Sequence, residues 1–248
     1  MTPEPSAENA APPMGEAGRI TGVLFDPKKA FADIAAKPTW ILPVVLSIVI
    51  GLAFVYIFTS RVGWDRYFHT LAETNTRMQQ MDAQQRETQI EMQVKFGPIF
   101  GYVFGVIGPA LMALIVGAVI LLMAKIGGAS LKFKQTFAIA AWASLPRVIS
   151  GILALVVMFT KNPEDFNLQN PLPFFNAGGF LEPPPNSGKF IYTLATSFDL
   201  FTIWVILLLA VGISAGARKM PFSKAVLLVV VPWLIWVLVS SGFAGMMG

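Results

Sequence analysis

PIFGYVFGVIGPALMALIVGAVILLMA, residues 98–124, runs without a single charged side chain, and its reading decides the fold. A bilayer core of about 30 Å takes roughly 20 apolar residues in helical form, so this run is long enough to cross it with some tilt. It also lacks the polar face that a surface helix of a soluble protein keeps. Outward from it, comparable runs occupy residues 40–60, 133–159, 191–217 and 225–242, the last reaching span length by continuing through Ser240, Ser241 and Gly242. Together they predict an all-α polytopic membrane protein: a five-transmembrane-helix bundle over residues 19–248, preceded by a polar tail.

Composition agrees. Hydrophobic residues make up 55% of the chain against 13% charged, and the mean hydropathy is +0.64, more apolar surface than a soluble core absorbs. The chain has no cysteine and one histidine, His69, which excludes a disulfide framework, a thiolate metal site and a multi-histidine site. No HExxH, Gly-x-Ser-x-Gly or nucleotide-loop motif occurs, so no enzyme chemistry and no cofactor are expected. The net charge of +4 is what membrane insertion demands of cytoplasmic connectors, and no nucleic-acid partner follows from it.

The cations set the expected orientation. Lys125, Lys132 and Lys134 follow the second run without an acid, and Arg218, Lys219 and Lys224 follow the fourth in the same way. Both connectors are expected on the cytoplasmic side of the cell membrane. An odd number of spans then places the N-terminus inside, with Arg19, Lys28, Lys29 and Lys37, and the C-terminus outside. No cleavable signal is evident ahead of the first run, which is expected to act as an uncleaved anchor.

Residues 1–18 read as a disordered Pro- and Ala-rich tail. From Arg19 onward Ile20, Val23, Leu24, Phe31 and Ile34 recur at near-helical spacing among charged residues, with Asp26-Pro27 placed to cap and start a helix. This predicts a short interfacial helix that anchors the first span or docks a partner. Between the first and second runs, residues 64–96 predict a helical excursion with an apolar seam of Trp64, Leu71, Met78 and Met92. The other outer connector, residues 160–189, is rich in Pro and Asn and ends in Pro183-Pro184-Pro185. It is expected to be irregular, with Phe174, Phe175, Phe180 and Leu181 lying on the bilayer interface or capping the bundle.

Two features inside the membrane carry chemistry. Gly97, Gly101 and Gly105, continued by Pro109, Ala113 and Gly117, form a four-residue stripe on which a neighbouring helix can approach closely, within the chain or from a second copy. Arg147, next to Pro146 in the third run, is a permanent charge that needs a counter-charge in hydrocarbon. Helical rise brings Asp199 of the fourth run to a similar depth. The expectation is a buried Arg147–Asp199 pair, structural or part of a polar transport site. A weaker echo, Phe133-Lys134-Gln135 before Pro146 and Phe222-Ser223-Lys224 before Pro232, suggests a repeated hairpin.

The stretches GRITGVLFDPKKAFADIAAKPTWILPVVLSIVI, FAIAAWASLPRVISGIL and SFDLFTIWVILLLAVGISAGARKMPFSKAVLLVVV resemble, in this order, the bacterial branch of the Yip-one domain family, integral membrane proteins named for interaction with Ypt/Rab GTPases. The resemblance implies five membrane helices with a cytoplasmic N-terminus and an external C-terminus. For eukaryotic relatives it implies binding of prenylated small GTPases and a trafficking role. The Asp-Leu-Tyr-Gly-Pro-Leu-Trp type of motif those relatives carry is absent here, and Phe25-Asp26-Pro27 stands in its region as the candidate docking element. The functional expectation is a non-enzymatic membrane organiser or adaptor, partnered by lipids and by proteins in the membrane, with a small transporter or channel around Arg147 and Asp199 as the alternative.

Overall fold

The computed structural model describes residues 14–184, 186–217 and 220–246. Of the tail expected over residues 1–18, residues 1–13 lie outside that set, as do Pro185, Arg218, Lys219, Met247 and Gly248; the end of that stretch is not tail, because α1 begins at Glu16. Among the described residues every extended regular element is a helix: α1 (Glu16–Phe25), α2 (Pro27–Ala36), α3 (Ile41–Arg61), α4 (Trp64–Thr74), α5 (Thr76–Gln79), α6 (Ala83–Ile126), α7 (Phe133–Ala143), α8 (Leu145–Thr160), α9 (Lys189–Ser197), α10 (Leu200–Gly216) and α11 (Phe222–Met246). Helices α3, α6 and α11 and the stacked pair α7–α8 are each long and apolar enough to cross a membrane, and α10 adds a shorter apolar helix of 17 residues. The chain is an all-α polytopic membrane protein.

Sequence and fold part company at two joints. Pro146 has no amide for the ladder, and the third run breaks at Ser144, whose hydroxyl turns back to the Ala141 carbonyl at 2.7 Å. The expected single helix over residues 191–217 is also two helices. Asp199 ends the first by capping the second, accepting the Thr202 amide at 2.9 Å, while its backbone forms an isolated antiparallel bridge with Asn176 of the outer connector. Pro232, the counterpart of Pro146 in the repeat, stays inside a continuous α11, so the echo does not extend to the helix break.

Close contacts sort the connectors to two ends of the bundle. At one end a Cβ on Gly127 would lie 2.7 Å from Leu228 and 3.1 Å from Met220, and one on Gly216 would lie 3.1 Å from Ala35. The α6–α7 turn, the α10–α11 turn and the end of α2 therefore share this basic end, with Lys125, Lys132, Lys134 and Lys224 exposed on it. At the other end Phe58, Met158 and Phe166 share a cluster with Trp64 and Tyr67, and a Cβ on Gly245 would lie 3.1 Å from Phe190. The predicted excursion is helical as expected: α6 is about 66 Å long and extends past the bundle, with α4 folded against it. Of the predicted seam, Met78 is buried with Ala72 and Ile90, while Met92 is 51% exposed on an open apolar groove that it lines together with Trp64 and Phe68.

The outer connector is short 3-10 turns rather than fully irregular, and Asn170 and Asn176 pin it: Asn176 donates to Asn170 at 2.7 Å and to the Leu172 carbonyl at 2.9 Å. Phe175 packs against Phe201, with ring centroids 5.4 Å apart, whereas Phe174 and Phe180 are each 90% exposed. The main core joins α1, α2, α6, α7, α10 and α11 around the fully buried Trp142, Phe31 and Ile139.

Candidate docking hairpin at the basic end

The first two helices form a hairpin built into the bundle, where the sequence predicts one helix lying on the interface. The reason is the width of the apolar stripe: Val23, Ala30, Phe31 and Ile34 are all fully buried, more than a helix with one lipid-facing side needs. Within the hairpin the helices approach closely at Gly22, where a Cβ would lie 3.0 Å from that of Ala30. Helix α2 lies along α10, since a Cβ on Gly212 would meet Phe31 at 3.1 Å and one on Gly216 would meet Ala35 at 3.1 Å. Small residues on α10 thus let α2 sit against its backbone. Gln135 of α7 closes the contact by donating to the Ala35 carbonyl at 2.8 Å.

A buried ion pair locks the two helices. Arg19 is 3% exposed, and its Nε and Nη2 reach Asp33 Oδ2 at 2.8 and 2.7 Å. Its remaining donors go to the Lys37 carbonyl at 3.0 Å and to the Thr39 hydroxyl, while the Met14 amide takes Asp33 Oδ1 at 3.2 Å. Trp142 then ties the Thr39 carbonyl to α7 at 2.8 Å. Every polar atom of the guanidinium group is directed at a partner, the condition under which a buried charge is tolerated. The sequence reading used Arg19 only as an orientation charge. The available signal was an Arg and an Asp fourteen positions apart, flanking the Asp26-Pro27 turn, which a hairpin brings face to face.

The tip of the hairpin is the candidate docking element Phe25, Asp26 and Pro27. Pro27 occupies the first turn of α2 as expected, whereas Asp26 stands at the cap position without a side-chain capping hydrogen bond. Phe25 is 85% exposed, and Asp26, Lys28 and Lys29 are exposed beside it. The pairing of Ala35 with Gly216 and Phe31 with Gly212 means α2 runs parallel to α10. The tip therefore points away from the basic end, toward the middle of the bundle.

The structure does not bring Arg147 and Asp199 together. Asp199 caps α10 beneath the outer connector, so it lies near the outer end of its span rather than deep within it. Arg147 is exposed in the first turn of α8, directly after the buried Pro146. Arg19 forms ion pairs with Glu16 and Asp33, and the His69 ring lies within 4.0 Å of the Asp65 and Glu87 carboxylates.

The glycine stripe of α6 meets three different helices. A Cβ on Gly97 would lie 2.8 Å from Phe68 of α4, one on Gly101 3.1 Å from Val55 of α3, one on Gly105 3.6 Å from the backbone of Gly51 in α3, and one on Gly117 2.9 Å from the Cα of Phe137 in α7. All four neighbours belong to the same chain.

No curated protein and no solved structure matches this sequence. The family model of the Yip1 domain does, over residues 21–244, a range that begins midway through α1 and runs to within two residues of the end of α11. On that match the chain belongs to the Yip1 domain family of integral membrane proteins.

Proposed function

We propose that this protein is a non-enzymatic membrane organiser of the Yip family, an adaptor whose N-terminal hairpin presents a docking face at a fixed position on the membrane bundle. The observation that carries this reading is the contrast within the hairpin: Arg19 is buried and fully bonded, while Phe25 a few residues away is 85% exposed. An exposed aromatic at the end of a rigidly locked hairpin offers a docking surface at a fixed place. Asp199 is engaged as a helix cap, and Asn170 with Asn176 as a loop clasp. In the orientation this reading adopts, the basic end with the hairpin faces the cytoplasm and the end of α11 faces outward, as the exposed lysines of the basic turns favour.

A photo-cross-linking side chain placed at Phe25 in the native membrane tests the reading, with the same group at the exposed Phe243 of α11 as control. A discrete protein adduct at position 25 that is missing at 243 supports the adaptor. Adducts identical at both positions overturn it. A transport role is the second reading, favoured by the break between α9 and α10, since discontinuous helices often line substrate sites. Its test is substrate-independent: Asp199→Ala should abolish transport-linked growth or flux under that reading and leave it intact under the adaptor reading.

A further inference from the structure

The exposed apolar stretches of this bundle differ in length. On α6 exposed apolar side chains continue from Phe96 to Leu122, about 39 Å of helix. On α8 the stretch between the exposed Arg147 and the end of the helix at Thr160 is about 20 Å. A tilted α6 fits a bilayer core of about 30 Å, and the third span crosses it only as α7 and α8 together, so Arg147 stands within that span rather than at its end. An exposed Arg147 at that position either extends its side chain to an anionic headgroup or stays in hydrocarbon without a counter-charge. The second arrangement is strongly disfavoured.

The hairpin tip faces the same problem from a neighbouring element. Helix α1 touches α7 and α8, and Ile20, Leu24 and Val148 pack on a common core. Because α2 runs parallel to α10, Lys28 and Lys29 lie one turn beyond Phe31 toward the middle of the bundle, on the exposed side. Among the described residues none of Lys28, Lys29 and Arg147 has a side-chain hydrogen bond or ion pair, and the exposed Asp26 at the tip pairs with none of them. Three unpaired cations and an outward phenylalanine thus stand at the start of α8 and at the tip of the hairpin that touches it. Cations at headgroup depth with an aromatic reaching toward the acyl chains are complementary to one kind of partner.

We propose that the surface from Arg147 to the tip of the α1–α2 hairpin docks anionic glycerophospholipids, the cations meeting the phosphate groups and Phe25 lying among the chains. The proposal rests on the reading of the tip as a docking face and names its first occupant. Lipid bound there completes the charge balance of a surface that the chain leaves uncompensated.

The full chain, reconstituted in bilayers of phosphatidylcholine and phosphatidylglycerol and released for native mass spectrometry, should retain phosphatidylglycerol several-fold over its bulk share. A variant with Lys28→Gln, Lys29→Gln and Arg147→Gln should fall to the bulk ratio, whereas Lys125→Gln with Lys132→Gln and Lys134→Gln should keep most of the preference. The idea is overturned by an unselective wild-type protein, by a triple tip variant that stays selective, or by loss of selectivity only in the basic-turn variant. Should the tip variant not fold, a photoactivatable phosphatidylglycerol on the wild-type chain decides instead. Adducts at residues 24–29 and 145–150 support the site, and adducts confined to α6 and α11 remove it. A discrete protein adduct at Phe25 alongside an unselective lipid profile would sink the lipid proposal while leaving the adaptor reading standing.

Discussion

Arg19 and Asp33 meet across the α1–α2 hairpin at 2.7 Å, with the arginine almost wholly removed from solvent, and this contact fixes where the tip of the hairpin stands. Removing either partner strands a buried charge or its acceptors. Arg19→Ala and Asp33→Ala are each expected to destabilise the protein by about 3–5 kcal/mol, with the double variant well short of the sum. Arg19→Lys should not rescue, because a single ammonium cannot serve Asp33, the Lys37 carbonyl and Thr39 together. Thermal unfolding in detergent measures all four, and strict additivity would show that the pair is not coupled.

Gly117 tests the helix stripe more sharply than Gly101. A Cβ at Gly117 would sit 2.9 Å from the Cα of Phe137, where backbone must move, whereas at Gly101 it meets side chains of Val55 and Trp64 that can rotate. Gly117→Ala is expected to cost about 1–3 kcal/mol, and Gly117→Leu more, while Ala118→Leu on the exposed side stays close to wild type. Equal melting temperatures for Gly117→Leu and Ala118→Leu would mean that α6 and α7 do not pack as described.

Much of the fold was legible because hydrophobic length is a long-range signal: five apolar runs map onto α3, α6, α7–α8, α9–α10 and α11. The errors came from polar residues whose role is local. Depth along the helix suggests Asp199 as a partner for Arg147, yet an Asp directly before Leu200 and an apolar run is also an N-cap, and it is the Thr202 amide that it satisfies. Arg19 went unread as a site because its partner is on another helix, and pairing across a turn depends on tertiary packing that spacing alone does not fix. The candidate docking tip was found by its place in the sequence, and only the structure added that Phe25 points outward.

Asp199 as a cap carries its own prediction. Asparagine accepts the Thr202 amide as aspartate does, so Asp199→Asn should be near neutral, while Asp199→Ala should cost about 1 kcal/mol and loosen the bridge to Asn176. Combining Asp199→Ala with Arg147→Ala should give additive changes in thermal stability. A measured coupling above the ordinary error of about 0.5 kcal/mol would put the two residues back in contact.

Burial pushes the Tyr67 hydroxyl above its ordinary value of 10.0, an effect the hydrogen bond with Gln169 partly offsets. A raised pKa in the folded state means that the folded chain holds its proton longer than the unfolded one. Stability from this group is therefore complete below about pH 10 and declines as pH rises through the folded value. Tyr67→Phe should flatten the alkaline part of the melting curve against pH, leaving the neutral part lower only by the lost hydrogen bond. An unchanged alkaline slope would assign that slope to other groups.

The orientation can be read directly, because the chain contains no cysteine and any introduced one is unique. Ser130→Cys lies exposed in the α6–α7 turn at the basic end, and Glu182→Cys lies exposed in the outer connector. With the lysines of the basic turns held in the cytoplasm, an impermeant thiol reagent should label position 182 in intact cells and position 130 only after the membrane is opened. Both positions are exposed, and labelling of 130 once the membrane is opened shows its thiol to be reactive, so reactivity alone cannot produce that order. The reverse order would turn the whole bundle over, place the hairpin on the outside, and remove the cytoplasmic adaptor reading along with the inner-leaflet lipid surface that depends on it.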